Sequence, residues 1–315
     1  VASWKIEGKW LEYEVKTVDS GLSLEALLKE RLCVSGRMLQ RLTRKNGLFV
    51  NRKRPFLKKK MKAGDRIRLL VADTPETTLP PVEMNISVLY EDDAVLVVNK
   101  PAGIPVHPVK EGQNYTLAHG IAHYWQQQGK PRAVRPVHRL DKDTSGAVLI
   151  AGNSFIHQLL DKQLHEHTVR RTYLAVVEGH PGVEGETGTI AEPIARDPHH
   201  PTRRRVQADG DEAITRYRVV ERFLPVPGMI EGGASLMEVE LETGRTHQIR
   251  VHFSHLGFPL IGDTLYGGVK AGGMRRQALH AACLEFGHPV TGEVQSCKAP
   301  LPEDLERLLK RLRQT

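Results

Sequence analysis

The sequence predicts an α+β protein. Its larger domain should hold a mainly antiparallel or mixed β-sheet flanked by helices and loops, with a small α/β domain before it. Three observations carry this reading. In the C-terminal two thirds, strand-like segments outnumber helical ones and often adjoin one another instead of alternating with helices. Positive charge is concentrated early: residues 31–68 hold 14 Lys or Arg and one acidic residue, Asp65. Those residues carry +13, so the rest of the +8 chain sums to −5. Between the two regions, "ADTPETTLPPVEMN" is rich in Pro and Thr and lacks periodicity, as a semi-extended linker would. The expected organisation is an N-terminal extension (1–18), a small basic domain (19–72), a linker (73–85) and a larger domain (86–315).

The elements follow in order. "LSLEALLKERL" reads as a helix with Ser23 as N-cap and Leu24, Leu27, Leu28 and Leu32 on one side. "SGRMLQRLTRKNG" reads as a second, capped by Ser35, ended by Gly47, with Met38, Leu39 and Leu42 inward. Arg37, Arg41 and Arg44 then form one stripe away from the apolar face. "GLFVN" and "RIRLLV" are strands around the basic loop "RKRPFLKKKMKAGD", with a turn at Ala63, Gly64 and Asp65. Beyond the linker, "ISVLYEDDAVLVVNKPAG" gives two strands around an acidic turn. "GAVLIAG", "RTYLAVVEG", "EAITRYRVVERF" and "SLMEVELETG" are further strands. "SFIHQLLDKQLHEH", "RTHQIRVHFSHLG" and "PEDLERLLKRLRQT" have helical spacing, with Ile249, Phe253 and Leu256 expected on one face of the second.

Composition bounds the function. No run approaches the ~20 apolar residues of a membrane span. No signal-peptide core opens the chain, so the expected location is cytoplasmic. Cys33, Cys283 and Cys297 form no C-x-x-C pair, which points away from a disulfide framework or zinc knuckle. A concentrated basic region suits a polyanion, most often nucleic acid. Arg37, Arg41, Arg44, Lys45, Arg52, Lys53 and Arg54 are its candidate phosphate contacts. The fingerprints of dinucleotide folds, P-loops and G-x-S-x-G hydrolases do not occur. The histidines at 165, 167, 247, 252 and 255 lack a completing ligand set, so hydrogen bonding is expected of them and no metal. In "RPVHRLDKDTSG", residues 135–146, a metal site, a phosphate cradle, a charged turn and a catalytic carboxylate all remain open.

Other segments narrow that choice. Two helices, a strand, a basic loop and "AGDRIRLL" resemble the small RNA-binding domain named after protein four of the small ribosomal subunit, across roughly residues 20–72. "NKPAGIPVHP", "RPVHRLDKDTSG", "RRTYLAVVEG", "LETGRTHQIRVHFSHLGFPLIGDTLYGG" and "RQALHAACLEFGHPVTGE" occur in the order that resembles the RluA-type pseudouridine synthases, from about Leu89 to Pro302. Joining the two modules resembles the RluD-like branch. The resemblance implies isomerisation of uridine to pseudouridine in structured RNA, without a cofactor. It favours large-subunit ribosomal RNA, with transfer RNA or a non-catalytic assembly role as alternatives. It implies Asp141 as the catalytic aspartate, Arg250 as its cationic partner and Tyr173 as the aromatic beside the target uracil. It implies Arg139 in the space left by the flipped base, His138 shaping the loop and Ile249 beside the pocket. "RDPHHPTRRRV", residues 196–206, is expected to be a mobile RNA-facing loop. No obligate protein partner and a monomer are expected.

Overall fold

In the computed structural model, which describes residues 4–7, 9–71 and 79–314, the apolar residues close a four-stranded and a ten-stranded sheet. The first contains β1 (Trp4–Glu7), β2 (Trp10–Glu14), β3 (Leu48–Val50) and β4 (Arg66–Leu70), in the order β1-β2-β4-β3. The described residues 4–7 and 9–15 thus belong to the small domain's sheet and core, where an extension is expected from the sequence. Every residue of β2 pairs with β4, and Trp4, Leu11, Tyr13 and Val15 are buried in the small domain's core. The alternation of Leu11, Tyr13 and Val15 carries that strand signal.

Against this sheet lie α1 (Leu24–Ala26), continued by a π-helical turn over Leu27–Arg31, and α2 (Gly36–Arg44). Ser23 Oγ accepts from Ala26 N–H and Ser35 Oγ from Met38 N–H, so both expected caps are in place. The left-handed residue after α2 is Asn46 (φ +52), not Gly47. Gly47 serves close packing instead: a Cβ there would lie 2.9 Å from Leu70 Cβ. Between β3 and β4, the Asn51 and Asp65 side chains form one clasp. Asn51 donates to Asp65 Oδ1 and accepts from Arg66 N–H, while Asp65 Oδ2 accepts from Lys62 N–H.

The large sheet runs β10-β13-β14-β9-β15-β8-β6-β5, with β16 beside β15 and β7 beside β8. Its strands are β5 (Ser87–Glu91), β6 (Val95–Lys100), β7 (Arg135–Pro136), β8 (Ser145–Ala151) and β9 (Arg170–Glu178). They continue with β10 (Thr187–Ile190), β13 (Thr215–Phe223), β14 (Ala234–Leu241), β15 (Leu279–Gly287) and β16 (Val294–Lys298). Neighbours are antiparallel except β8 and β15, which run parallel. Both faces are covered, which explains why β8 is buried along its whole length. On one face α3 (Leu117–Gln127) brings Leu117, Ile121 and Trp125 against Leu96, Val98 and Val148. On the other, α4 (Ser154–His165) brings Phe155, Ile156 and Leu160 against Val95, Val97 and Leu149. Helix α5 (Gln248–His255) joins the first face and α6 (Glu303–Arg313) covers Val176 and Leu236. In α5, Ile249 and Phe253 are buried as expected, but Leu256 is exposed because the helix has already ended.

Helix α3 is absent from the elements read above. Its Gly120 interrupts the apolar pattern, and the reason is steric, because a Cβ there would lie 2.8 Å from Met84 Sδ near the end of the expected linker. Residues 73–78 of the expected linker lie outside the described residues. The segment 196–206 contributes to a β-hairpin of β11 (Ile194–Arg196) and β12 (Arg204–Val206).

The small domain docks on α4. Trp4 meets Phe155 with ring centroids 5.3 Å apart, Ser35 N–H donates to Gln158, and Arg41 donates to Ser154 Oγ at 3.0 Å. Arg41 thus turns toward the larger domain, out of the expected stripe, while Arg37, Arg44, Lys45, Arg52, Lys53 and Arg54 are exposed.

At the start of β8, Gly146 has φ +116, and a Cβ would lie 2.2 Å from the Ala281 carbonyl oxygen on β15. Gly146→Ala should therefore cost about 3 kcal/mol or more of stability, through left-handed strain plus a backbone clash. Denaturant unfolding checks this.

Candidate active site

The turn before β8 is held from several directions. Thr144 N–H donates to the Asp141 carbonyl, closing the turn. Lys100, fully buried, donates through Nζ to the carbonyls of Pro101, Ile104 and Lys142, each at 2.9 Å. Burial presses its pKa down to about 7, against the pull of Asp143 and Asp141. Arg276 donates to the Asp143 carbonyl and to Ser145 Oγ while its other edge grips Asp304 on α6. Gln277 donates to Thr144 Oγ1. The second half of "HRLDKDTSG" is thus a braced turn that leaves Asp141 at the rim of a cavity of about 470 Å³.

Asp141 meets α5 there. Arg250 Nη1 donates to Asp141 Oδ2 at 3.1 Å. Its Nε and Nη2 donate to Asp263 Oδ2 and Oδ1 at 2.7 and 2.8 Å, a bidentate fork. Side-chain exposure is 1% for Asp263, 8% for Arg250 and 20% for Asp141. Burial alone would lower the Arg250 pKa, but the hydrogen bond to Asp263 and the charges of both carboxylates outweigh it and raise it. Asp263 was not among the residues singled out. Its only signal was "GDTLYGG", and nothing in that segment indicates a partner on α5.

The structure brings the remaining candidates of the larger domain to the same cavity. Tyr173 on β9 is buried and lines it, and burial raises its hydroxyl pKa, with Arg171 opposing and Asp141 adding. Ile249 is buried in the wall, and Arg139 is exposed at the rim. His138 acts inward: its Nε2 accepts from Leu149 N–H on β8, which places the ring proton on Nδ1. Burial, reinforced by Arg171, presses its pKa down to about 3. Arg171, also unforeseen, donates to the carbonyls of Leu241 and Thr243 and fixes the loop opposite.

The basic residues of the small domain do not line this cavity, yet α4 links the two. Its first residue, Ser154, meets Arg41, while Asp161, Leu164 and His165 near its end line the cavity. The span between them is roughly 16 Å along the helix. Of the other histidines, His252 is saturated by Thr215 Oγ1 and the Glu192 carbonyl, and His167 Nδ1 meets the Glu242 carbonyl.

Residues 94–255 match the family model described as RNA pseudouridylate synthase. Over 304 residues the chain is 40% identical to an uncharacterised RNA pseudouridine synthase of Bacillus subtilis, covering 96% of this chain and 98% of that one. Over 267 residues it is 41% identical to ribosomal large subunit pseudouridine synthase D of Xanthomonas campestris, covering 81% and 77%. Among solved structures, human RNA pseudouridylate synthase domain containing 1 superposes with a TM-score of 0.56 at 27% identity, over 75% of this chain and 98% of that one.

The buried neutral His138 makes stability depend on pH. Its ordinary pKa is 6.5 and its folded pKa about 3, so between these values the unfolded chain holds a proton that the folded chain does not. The stabilising contribution is full above the first value and lost progressively as pH falls toward the second. His138→Gln keeps an acceptor for Leu149 N–H but cannot titrate. Its urea midpoint should fall less than that of the wild type between about pH 7.5 and about pH 5.

Proposed function

Because the chain belongs to the RNA pseudouridylate synthase family, we propose that Asp141 is its reactive carboxylate and that its target is a uridine flipped out of large-subunit ribosomal RNA. The observation that carries the reading is the Arg250 fork. A guanidinium gripped along its Nε–Nη2 edge by Asp263 has its Nη1 end left, and that end orients Asp141 toward the cavity. The reaction breaks the N1–C1′ bond of uridine, turns the freed uracil and joins C5 to C1′, and the proton lost from C5 is matched by one taken up at N1. It is an isomerisation, with no external group transferred.

Asp141 serves this in one of two ways. Its carboxylate attacks C1′, or it takes the C2′ proton as the base departs. Either role needs an ionised oxygen held beside the sugar, as at other oxocarbenium-like centres. Tyr173 provides a flat buried wall for the uracil. A uridine reaches the cavity only by leaving its stack, which costs a few kcal/mol. Arg139, exposed at the rim next but one to Asp141, is positioned to occupy the gap left behind.

The small domain supplies affinity. Arg37, Arg44, Lys45, Arg52, Lys53 and Arg54 present exposed cations suited to phosphate oxygens. The order of its elements and the Asn51–Asp65 clasp support the resemblance to the protein-four type of RNA-binding domain. Ribosomal RNA is favoured by the name of the Xanthomonas relative. Arg41 takes a different part from its neighbours, tying the basic helix to α4.

Mapping pseudouridine in RNA from cells lacking the protein tests this. One or a few large-subunit uridines should lose the mark, wild-type protein should restore it, and Asp141→Asn should not, while binding RNA normally. Replacing Arg37 and Arg44 by Glu should instead weaken binding and flatten its salt dependence. Loss of marks only in transfer RNA would move the substrate, and restoration by Asp141→Asn would remove the catalytic assignment.

A further inference from the structure

His247 has no part in the reading above, yet it is held in an unfavourable conformation at the cavity wall. It precedes α5 with φ +61, a left-handed backbone unfavourable for a residue with a β-carbon. Such strain at a cavity points to a side chain whose placement matters. The ring lies between two polar neighbours. Nε2 is 3.9 Å from Asp141 Oδ2, and Nδ1 is 2.9 Å from the hydroxyl of the buried Tyr266.

Hydrogen-bond accounting fixes the tautomer. The Tyr266 hydroxyl accepts from Arg204 N–H on β12 at 2.9 Å and has one proton of its own to donate. Among the described residues, His247 Nδ1 is the acceptor in reach of that proton. The hydroxyl therefore donates to Nδ1, and the ring proton resides on Nε2, facing Asp141. The opposite tautomer would leave a buried tyrosine proton without an acceptor, the costlier arrangement. Burial lowers the His247 pKa, opposed by Asp141 and aided by Arg250, so the neutral ring is the relevant form.

We propose that His247 is a positioning residue for Asp141: its Nε2–H is the second donor to Oδ2, aimed by a chain running from Arg204 N–H through the Tyr266 hydroxyl to Nδ1. The proposal rests on the reading of Asp141 as the reactive carboxylate. At 3.9 Å the last contact is longer than a hydrogen bond, and contacts of this kind tighten when substrate is bound. Arg250 and His247 then restrain the same oxygen from two directions, which limits rotation of the carboxylate. Tyr266 is braced for the task, with the guanidiniums of Arg250 and Arg203 over its ring at 5.0 and 5.5 Å. Since the chain begins at β12, the seating of the β11–β12 hairpin is transmitted to the carboxylate.

Two measurements on the full-length protein test this. Nitrogen-15 spectra of histidine-labelled protein, with the His247 signals assigned from His247→Gln, should give the Nε2–H tautomer, and Tyr266→Phe should shift it toward Nδ1–H. A wild-type Nδ1–H tautomer would overturn the proposal whatever Asp141 does. Single-turnover rates of His247→Gln and His247→Asn supply the second arm. Gln places an amide N–H near the Nε2 position, whereas Asn is shorter but better tolerated at positive φ. A donor role predicts that Gln retains at least about tenfold more rate than Asn, with RNA affinity unchanged in both. A backbone role predicts that Asn equals or exceeds Gln, which would also overturn the proposal. Asp141→Asn, assayed alongside, isolates the underlying reading: surviving activity there would remove it, and the kinetic role of His247 with it.

Discussion

Everything at the cavity depends on one buried guanidinium shared by two carboxylates. Arg250 and Asp263 form a nearly closed pair, and removing either partner of such a pair typically costs about 3–5 kcal/mol because the other is left buried and uncompensated. With that pair in place, Arg250 has a fixed direction and a single free edge. Asp141 takes that edge. Of the three groups, Asp141 is the one most exposed to the cavity. A reaction that builds positive charge at an anomeric carbon needs a prearranged negative oxygen at that place.

The rest of the larger domain serves to keep the two halves of this arrangement in register. Asp141 belongs to the turn entering β8, and Arg250 to a helix more than a hundred residues later. The parallel contact of β8 with β15 anchors the turn, with Gly146 permitting the close approach, and Ile249 and Phe253 of α5 pack in the same core as Leu279 and Ala281 of β15. Lys100 and Arg276 then fasten the turn by donating to its carbonyls from opposite sides, Arg276 while gripping Asp304 on the C-terminal helix. This makes α6, remote from the cavity, part of the support for the turn. The small basic domain is fastened independently, through Trp4, Ser35 and Arg41 onto α4.

Much of this was legible beforehand, for reasons that differ between parts. The caps of α1 and α2 follow from local hydrogen bonding, and β5, β6, β8, β9, β13 and β14 from apolar runs, so these could be read directly, whereas β7, β10, β15 and β16 were not read. The Asp141–Arg250 pairing came through resemblance alone, since nothing local in either segment names the other. Asp263, Arg171 and Tyr266 were missed because their roles exist only once loops distant in sequence meet. Strands β1 and β2 were missed because short aromatic strands beside a partner sixty residues away look like an irregular terminus. Helix α3 was hidden by Gly120, whose place is explained by Met84. The Arg41 side chain left the stripe because helical spacing predicts a face, and a docked neighbour decides what that face meets.

The most direct measurement is the single-turnover rate of Arg250→Lys beside its affinity for RNA. A lysine keeps the charge but has one point of contact, and it cannot grip Asp263 through two nitrogens while directing a third at Asp141. The shared-guanidinium account predicts a rate at least about 100-fold lower with RNA affinity within about twofold of wild type. A lysine variant that turns over at the wild-type rate, or one whose rate falls only in proportion to its affinity, would contradict it.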